Sequence, residues 1–361
     1  KKIVLWFHKM KDKLMQDNYN FQEFRVARDN GAKFLLEQQN SNGSYPDYQK
    51  GAGAYWGIPL ALMVSGYNLE AKKLFNWIRK NSFYSDGDIG RTPISDRGYN
   101  YPYEKAWLIE GAHRFGQFDI SYTGMNFLRK FWDKDTGGFF SITDPEIPTD
   151  KSDVKMDLWV TSGCARAALY MGELDIAIGA ANWMENLMRL QPNYPDQLYT
   201  VFTKSKGLIT DSYDLVDDVD DKFKFGKNFR YLLNKNSEVD QSFFHPGIAG
   251  GFLSLLYMST SDVKWLNLSK KYMLLAETAS DFLYRTLRAG KTGWCAALLY
   301  SISGEDKYYQ MSYRIAKNII KLQSKNGSWS DAIKIKDKSS TNLTAEMVIW
   351  LNEIYRVMKN R

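Results

Sequence analysis

The chain has 361 residues, 44% of them hydrophobic and 25% charged, with a formal net charge of +7, as in an ordinary globular protein. Its bases are dispersed rather than gathered with aromatics on one face, so no nucleic-acid partner is expected. No apolar run approaches the ~20 residues that cross a bilayer, so no integral membrane segment is expected either.

Residues 1–20 form an N-terminal extension, "KKIVLWFHKMKDKL" and beyond, that alternates bases with apolar residues and reads as a solvated or capping segment. From residue 22 onward two kinds of helix alternate. In chain order they are 22–39 (outer), 54–66 (inner), 68–81 (outer), 104–116 (inner), 120–131 (outer), 158–172 (inner) and 174–190 (outer). After an insertion come 246–258 (inner), 265–286 (outer), 290–302 (inner), 306–323 (outer) and 342–358 (inner). The inner runs are rich in Ala and Gly and apolar nearly all round, the composition of a helix buried on every side. The outer runs carry a one-sided stripe, as at Leu69, Leu74, Trp77 and Ile78, or Ile176, Ala180, Trp183, Met184 and Leu187. Six such pairs predict an all-α, single-domain (α/α)6 toroid over residues 1–361. The insertion, 192–241, separates the third and fourth inner helices. It carries a candidate hairpin, "LYTVFTKSKGLIT" from Leu198, and the acidic run "DLVDDVDD"; insertions of this length are commonly lids or site walls.

Two outer helices end alike: "AKFLLEQQNSNGSYPD" from Ala32 and "AKNIIKLQSKNGSWSD" from Ala316. Gln39, Gly43 and Tyr45 match Gln323, Gly327 and Trp329, with looser copies at 132–140 and at Gln191. Gln can bond unpaired terminal carbonyls, and Gly permits the left-handed turn that ends a helix. This pattern resembles the QW repeat of the terpenoid cyclase and protein prenyltransferase α/α-toroid superfamily. The resemblance implies a central aromatic cavity and a cyclase or isomerase that folds an apolar, isoprenoid- or polyene-like small molecule. Glycan-active (α/α)6 barrels (hydrolases, lyases, epimerases) use similar helix endings and are the alternative function, and a non-catalytic scaffold is the third. The joints are expected at the end of the ring away from its mouth.

The mouth of such a barrel is lined by the starts of the inner helices. Candidate substrate-binding residues there are Tyr55, Trp56, Tyr103, Trp107, Asp157, Trp159, Phe243, Trp294 and Thr344. Candidate proton-transfer residues are Glu104, Asp240, His245 and Glu346. His245 precedes Pro246 at a helix start, near a carboxylate able to tune it. Sugar epimerases of this fold carry a similar H-P-G segment, with further histidines that have no counterpart here. Glu104 and Glu346 each open an inner helix; as a facing pair they would suit glycoside hydrolysis, and as single residues they are ordinary first-turn acids. Asp218, Asp220 and Asp221 match the D-x-D-D acid motif of one terpene cyclase class, but run into charged "KFKFGKNF" and read as an acidic loop or a cation site. Cys164 and Cys295 lie in small-residue helix starts suited to packing and form neither a C-x-x-C pair nor a disulfide framework. With no signal-peptide pattern, a reducing cytoplasm is the expected compartment. Phosphate-loop, dinucleotide and H-E-x-x-H motifs are lacking, so neither a cofactor nor a metal is expected.

Overall fold

The computed structural model describes residues 21–93, 100–142, 146–211, 231–237, 240–330 and 341–359. The N-terminal extension and Asp218, Asp220 and Asp221 lie outside the described residues. Among the described residues there are six inner helices: α2 (Ile58–Val64), α4 (Tyr101–Arg114), α6 (Leu158–Tyr170), α8 (His245–Thr260), α10 (Gly290–Ser303) and α12 (Thr341–Lys359). Each packs on the next, and α12 packs back on α2, so the inner layer is a closed ring. The outer helices are α1 (residues 21–38), α3 (Asn68–Asn81), α5 (Phe118–Leu128), α7 (Leu174–Arg189), α9 (Val263–Glu277) and α11 (Asp306–Lys321).

The inner helices approach closely because small residues face their neighbours. A Cβ on Gly251 of α8 would overlap the Trp294 ring of α10, and one on Gly247 would overlap the α10 backbone at Thr292. The outer stripes are buried as their spacing predicts, including Leu74, Trp77, Ile78, Ile176, Ala180, Trp183, Met184 and Leu187. Leu69 is the exception, 72% exposed in the first turn of α3.

Two helices differ from their predicted bounds for local reasons. A 3-10 segment, Tyr48–Ala54, precedes α2 and is broken by Gly51 at φ 74°, so the inner helix begins four residues late. The helix predicted to run to residue 286 stops at Glu277. There the insertion takes over the backbone bonding: Ser280 N–H donates to the Lys235 carbonyl at 2.7 Å, and Ser280 Oγ to that of Ser237 at 2.8 Å. Two 3-10 segments follow, Asp281–Arg285 and Leu287–Ala289.

The paired Gln–Gly endings are joints between neighbouring outer helices. Gln39 Nε2 donates to Gly43 O and to Glu70 O in the first turn of α3. Gln323 Nε2 does the same to Gly327 O and to Ala27 O of α1. Both glycines take φ near +90° and press against the next helix, with a Cβ on Gly43 falling 2.5 Å from Lys73 O. Gly137, in the copy at 132–140, makes the same approach to α7, as does Gly87 to α5. The Gly87 joint, written Asp86-Gly87-Asp88, was not anticipated because no Gln precedes it. Gln191 instead bonds its own chain at Tyr199 in both directions. The joints lie at the same end of the ring as the inner-helix starts, contrary to expectation. Trp329 N–H donates to Thr344 Oγ1 in α12, and Phe139 N–H to Thr161 Oγ1 in α6, each Thr being the fourth residue of its helix.

Among the described residues five short strands supplement the helices. β1 (Met156–Asp157), β3 (Val201–Thr203) and β4 (Gly207–Leu208) form an antiparallel sheet in the order β1-β3-β4, with β3 and β4 making the predicted hairpin. β2 (Gln197–Tyr199) pairs antiparallel with β5 (Leu232–Asn234). No helix among the described residues is long and apolar enough to cross a membrane.

The joint geometry gives a stability test. Gly66 also has positive φ, at 87°, but open space around its Cβ direction, so Gly66→Ala should cost only about 1 kcal/mol. Gly43→Ala should cost about 3 kcal/mol or more, since it adds an overlap with a neighbouring carbonyl. Paired denaturant unfolding curves measure the difference.

Candidate active site at the mouth of the ring

The ring's axis is filled by aromatic rings. Trp56 meets the Tyr103 ring edge-on at 5.7 Å and the Trp107 ring at 5.0 Å, and Tyr103 lies 4.7 Å from Trp159, whose ring meets Phe244 at 5.1 Å. Deeper in, the Arg166 guanidinium of α6 sits 4.1 Å over the Trp107 ring, with Trp294 and Trp350 within 6 Å. A buried cation among ring faces is attracted by their quadrupoles, and Glu110 closes the pair at 2.7 Å. Below it, Arg114 bridges Glu110 and Glu353.

Above this floor opens a cavity of about 440 Å³, within the usual range for small-molecule sites. It is bordered by Trp159, Phe244, Met347 and Trp350, by the carboxylates Asp240 and Glu346, and by Arg285, Arg288 and Lys291. Lys291 and Glu346 form an ion pair of 2.5 Å across α10 and α12, and Trp350 Nε1 donates to the same carboxylate oxygen at 3.3 Å. Burial opposes the Lys291 charge, but Glu346 and Tyr103 outweigh it and the ammonium is held above its ordinary pKa. Asp240 receives Arg288 Nε at 3.0 Å. Burial nevertheless raises its pKa, with Arg288 and Thr286 acting against the rise. The two carboxylates thus share one cavity with different environments.

His245 is the first residue of α8 and is buried against Phe244, ring to ring at 4.5 Å. Burial, with Lys291 adding to it, lowers its pKa to about 4, against a bond to the Ser242 carbonyl. The ring is therefore neutral at neutral pH. Its Nδ1 lies 3.0 Å from Ser242 O, which requires the proton there and leaves Nε2 as the lone-pair nitrogen.

Of the residues expected at the mouth, Trp159, Asp240 and Glu346 border the cavity. Tyr103 and His245 lie behind it, close enough to Lys291 to be perturbed by its charge. Trp56, Trp107 and Trp294 belong to the filled axis beneath. The others are placed elsewhere by their bonding. Tyr55 points between the layers, with its hydroxyl on Ser82 and its ring against Trp77. Asp157 caps α6, accepting from Val160 N–H at 2.8 Å and pairing with Ser141. Thr344 holds the Trp329 joint, and the Phe243 carbonyl accepts from Thr292 Oγ1. Glu104 binds Asn100 at 3.2 Å beside Gly53, outside the cavity, with its pKa raised by burial against the pull of Lys105.

Lys291, Arg288, Arg285 and Phe244 were not anticipated. Lys291 had a usable signal, a lone base in the first turn of the apolar run "GKTGWCAALLY", the same feature that marked Glu346. Cys164 and Cys295 are buried free thiols with pKa values raised by burial, that of Cys295 to about 12. Among the described residues no group of three or more His, Cys, Asp and Glu could hold a metal ion.

No protein-family model matches the sequence, and no curated protein matches it. Solved structures do. A D-mannose isomerase superposes with a TM-score of 0.69 at 12% identity, covering 92% of this chain and 97% of its own. The (α/α)6 toroid fold is thereby shown. The cellobiose 2-epimerase of Spirochaeta thermophila DSM 6192 gives 0.62 at 12% identity, covering 91% and 93%. An inactive α-1,6-mannanase variant from Salegentibacter sp. HEL1_6, in complex with α-1,6-mannotriose, gives 0.59 at 12%, covering 92% and 99%. These neighbours overturn the resemblance to terpenoid cyclases and prenyltransferases, together with the isoprenoid substrate and the cyclase activity it implied. The misdirection has a physical origin: the Gln–Gly joint solves the packing of outer helices and carries no information about what the cavity binds.

His245 makes stability depend on pH. An unfolded His titrates near ~6.5, so between there and about 4 the unfolded chain takes up a proton that the folded chain refuses. Stability therefore falls as pH drops through that window, by up to about 3 kcal/mol from this residue. His245→Gln should flatten the fall relative to wild type, as measured by unfolding free energies between pH 7 and pH 4.

Proposed function

We propose that this protein is a glycan-active enzyme that binds a sugar unit in the mouth cavity and cleaves its glycosidic bond. The observation that carries the reading is the pair of carboxylates, Asp240 and Glu346, set in one aromatic-walled cavity with unlike surroundings. Trp159, Phe244 and Trp350 offer ring faces on which a pyranose can stack, and the ion pairs offer hydrogen-bond partners for hydroxyls. The neighbouring folds named as mannose isomerase, cellobiose epimerase and mannanase all act on sugars, which supports this class.

In this mechanism Asp240, with its raised pKa, is the general acid and donates its proton to the glycosidic oxygen as the C–O bond breaks. Glu346, paired with Lys291 and bonded by the Trp350 N–H, stabilises the positive charge developing at the sugar carbon. Water then adds there and loses a proton to a carboxylate. A second reading, isomerisation or epimerisation by proton abstraction next to a sugar carbonyl, is favoured by the neutral His245 and its lone-pair Nε2. On either reading the chain acts as one toroidal domain. The insertion buttresses the site wall, since Lys235 and Ser237 bind Ser280 just ahead of the 3-10 segments bordering the cavity.

Asp240→Asn and Glu346→Gln should each lower turnover about 100-fold or more, measured as reducing-sugar release from a glycan panel, with product stereochemistry separating hydrolysis from epimerisation. Glu346→Gln also strands the buried Lys291, at a cost of about 3 kcal/mol. The double variant Lys291→Met/Glu346→Leu should recover that stability and remain inactive.

A further inference from the structure

We propose that the sugar taken by this site is anionic, a glycan carrying carboxylate or sulfate groups, and that its chain leaves the mouth along a basic groove on α11. The inference rests on the glycan reading above and specifies its substrate class. Inside the mouth cavity each carboxylate already has its own cation, Asp240 with Arg288 at 3.0 Å and Glu346 with Lys291 at 2.5 Å. Arg285 is the cation left over. It is exposed, and among the described residues its side chain makes no hydrogen bond or ion pair. Arg285 also borders a second, more open groove of about 650 Å³, so the two spaces adjoin at this side chain.

That groove is lined by four cations, Arg285, Arg314, Lys317 and Lys321, against one anion, Asp281. Arg314 is paired with Asp281 at 3.1 Å and Lys317 with Glu23 at 2.6 Å, which leaves Lys321, like Arg285, without a protein partner. Arg314, Lys317 and Lys321 are spaced three and four apart along α11, hence on one helix face about one turn (~5.4 Å) from each other. A row of charges at that interval suits a chain bearing one anionic group per sugar unit. Tyr284 and Tyr313 also line the groove and supply ring faces between the charges. Lys321 has a local explanation in the helix C-terminus it caps electrostatically; Arg285 has none, and it stands where the two spaces meet.

The test uses the intact protein and calorimetric titration with matched charged and neutral trisaccharides of gluco, galacto and manno configuration. A chondroitin sulfate tetrasaccharide forms the sulfate arm, and a short single-stranded DNA is the competing polyanion. Uronate or sulfated ligand should bind about 10-fold more tightly than its neutral counterpart at low salt, with the advantage shrinking as salt rises. Arg285→Gln should remove most of that advantage and Lys321→Gln part of it, the loss falling on the charged ligands. Both side chains are solvent-exposed and unpaired, so folding is not at stake, and Lys72→Gln on α3, which borders neither space, should change nothing. Equal affinity for charged and neutral glycans would overturn the inference and leave the glycan reading standing. So would an anionic advantage that survives Arg285→Gln, or DNA binding as tight as the glycan's. Failure of every glycan, charged or neutral, to bind would overturn both.

Discussion

A helix leaves backbone groups unbonded at each end, and in this ring those ends have to be satisfied while neighbouring outer helices come almost into contact. The Gln–Gly joint meets both demands. The glutamine amide bonds the carbonyls of its own turn and those of the next outer helix. The glycine, at φ near +90°, lets the two backbones touch where any Cβ would collide. At Trp329, and at Phe139 in the looser copy, the residue after the turn reaches a threonine in the following inner helix. Outer and inner layers are thereby tied together at the mouth end, and the positions of the inner-helix starts follow from the joints. So does the identity of the wall residues that reach the cavity.

Closure of the ring creates a central space, and most of it is spent on packing. Trp107, Trp294 and Trp350 surround Arg166, whose charge is answered by Glu110. This layer is the floor that confines open volume to the mouth. It also excludes water from the lower side of Lys291 and Glu346, which strengthens their attraction and makes each depend on the other. The same low-dielectric surroundings keep His245 neutral and push Asp240 toward its protonated form. Asp240, His245 and Lys291 are thus shifted differently around one cavity by burial and by specific partners, the arrangement that acid–base chemistry requires.

Charge bookkeeping across the mouth separates what the fold uses from what it leaves available. Asp240 and Glu346 are matched by Arg288 and Lys291 and need no external ion. Arg285 and Lys321 are not matched, and both border the groove along α11. An unpaired surface cation in water is no burden to folding, so its position is free to be determined by a ligand.

The sequence by itself determined the repeat. The Ala- and Gly-rich inner runs, the one-sided outer stripes and the Gln–Gly endings predict twelve alternating helices, and the described helices follow them with the exceptions at α2 and α9. Helical periodicity is a local property, carried by residues three and four apart. Part of the site was legible for the same reason, since Trp159, Asp240 and Glu346 stand at inner-helix starts. Which of those starts share a cavity was decided only by the tertiary structure. Tyr55, Asp157 and Thr344 look alike in sequence to residues that line the mouth, yet their hydroxyls and carboxylate are taken by Ser82, the α6 cap and the Trp329 joint. Lys291 and Glu346 are 55 residues apart, and no local pattern pairs them. They meet because α10 and α12 are neighbours in a closed ring.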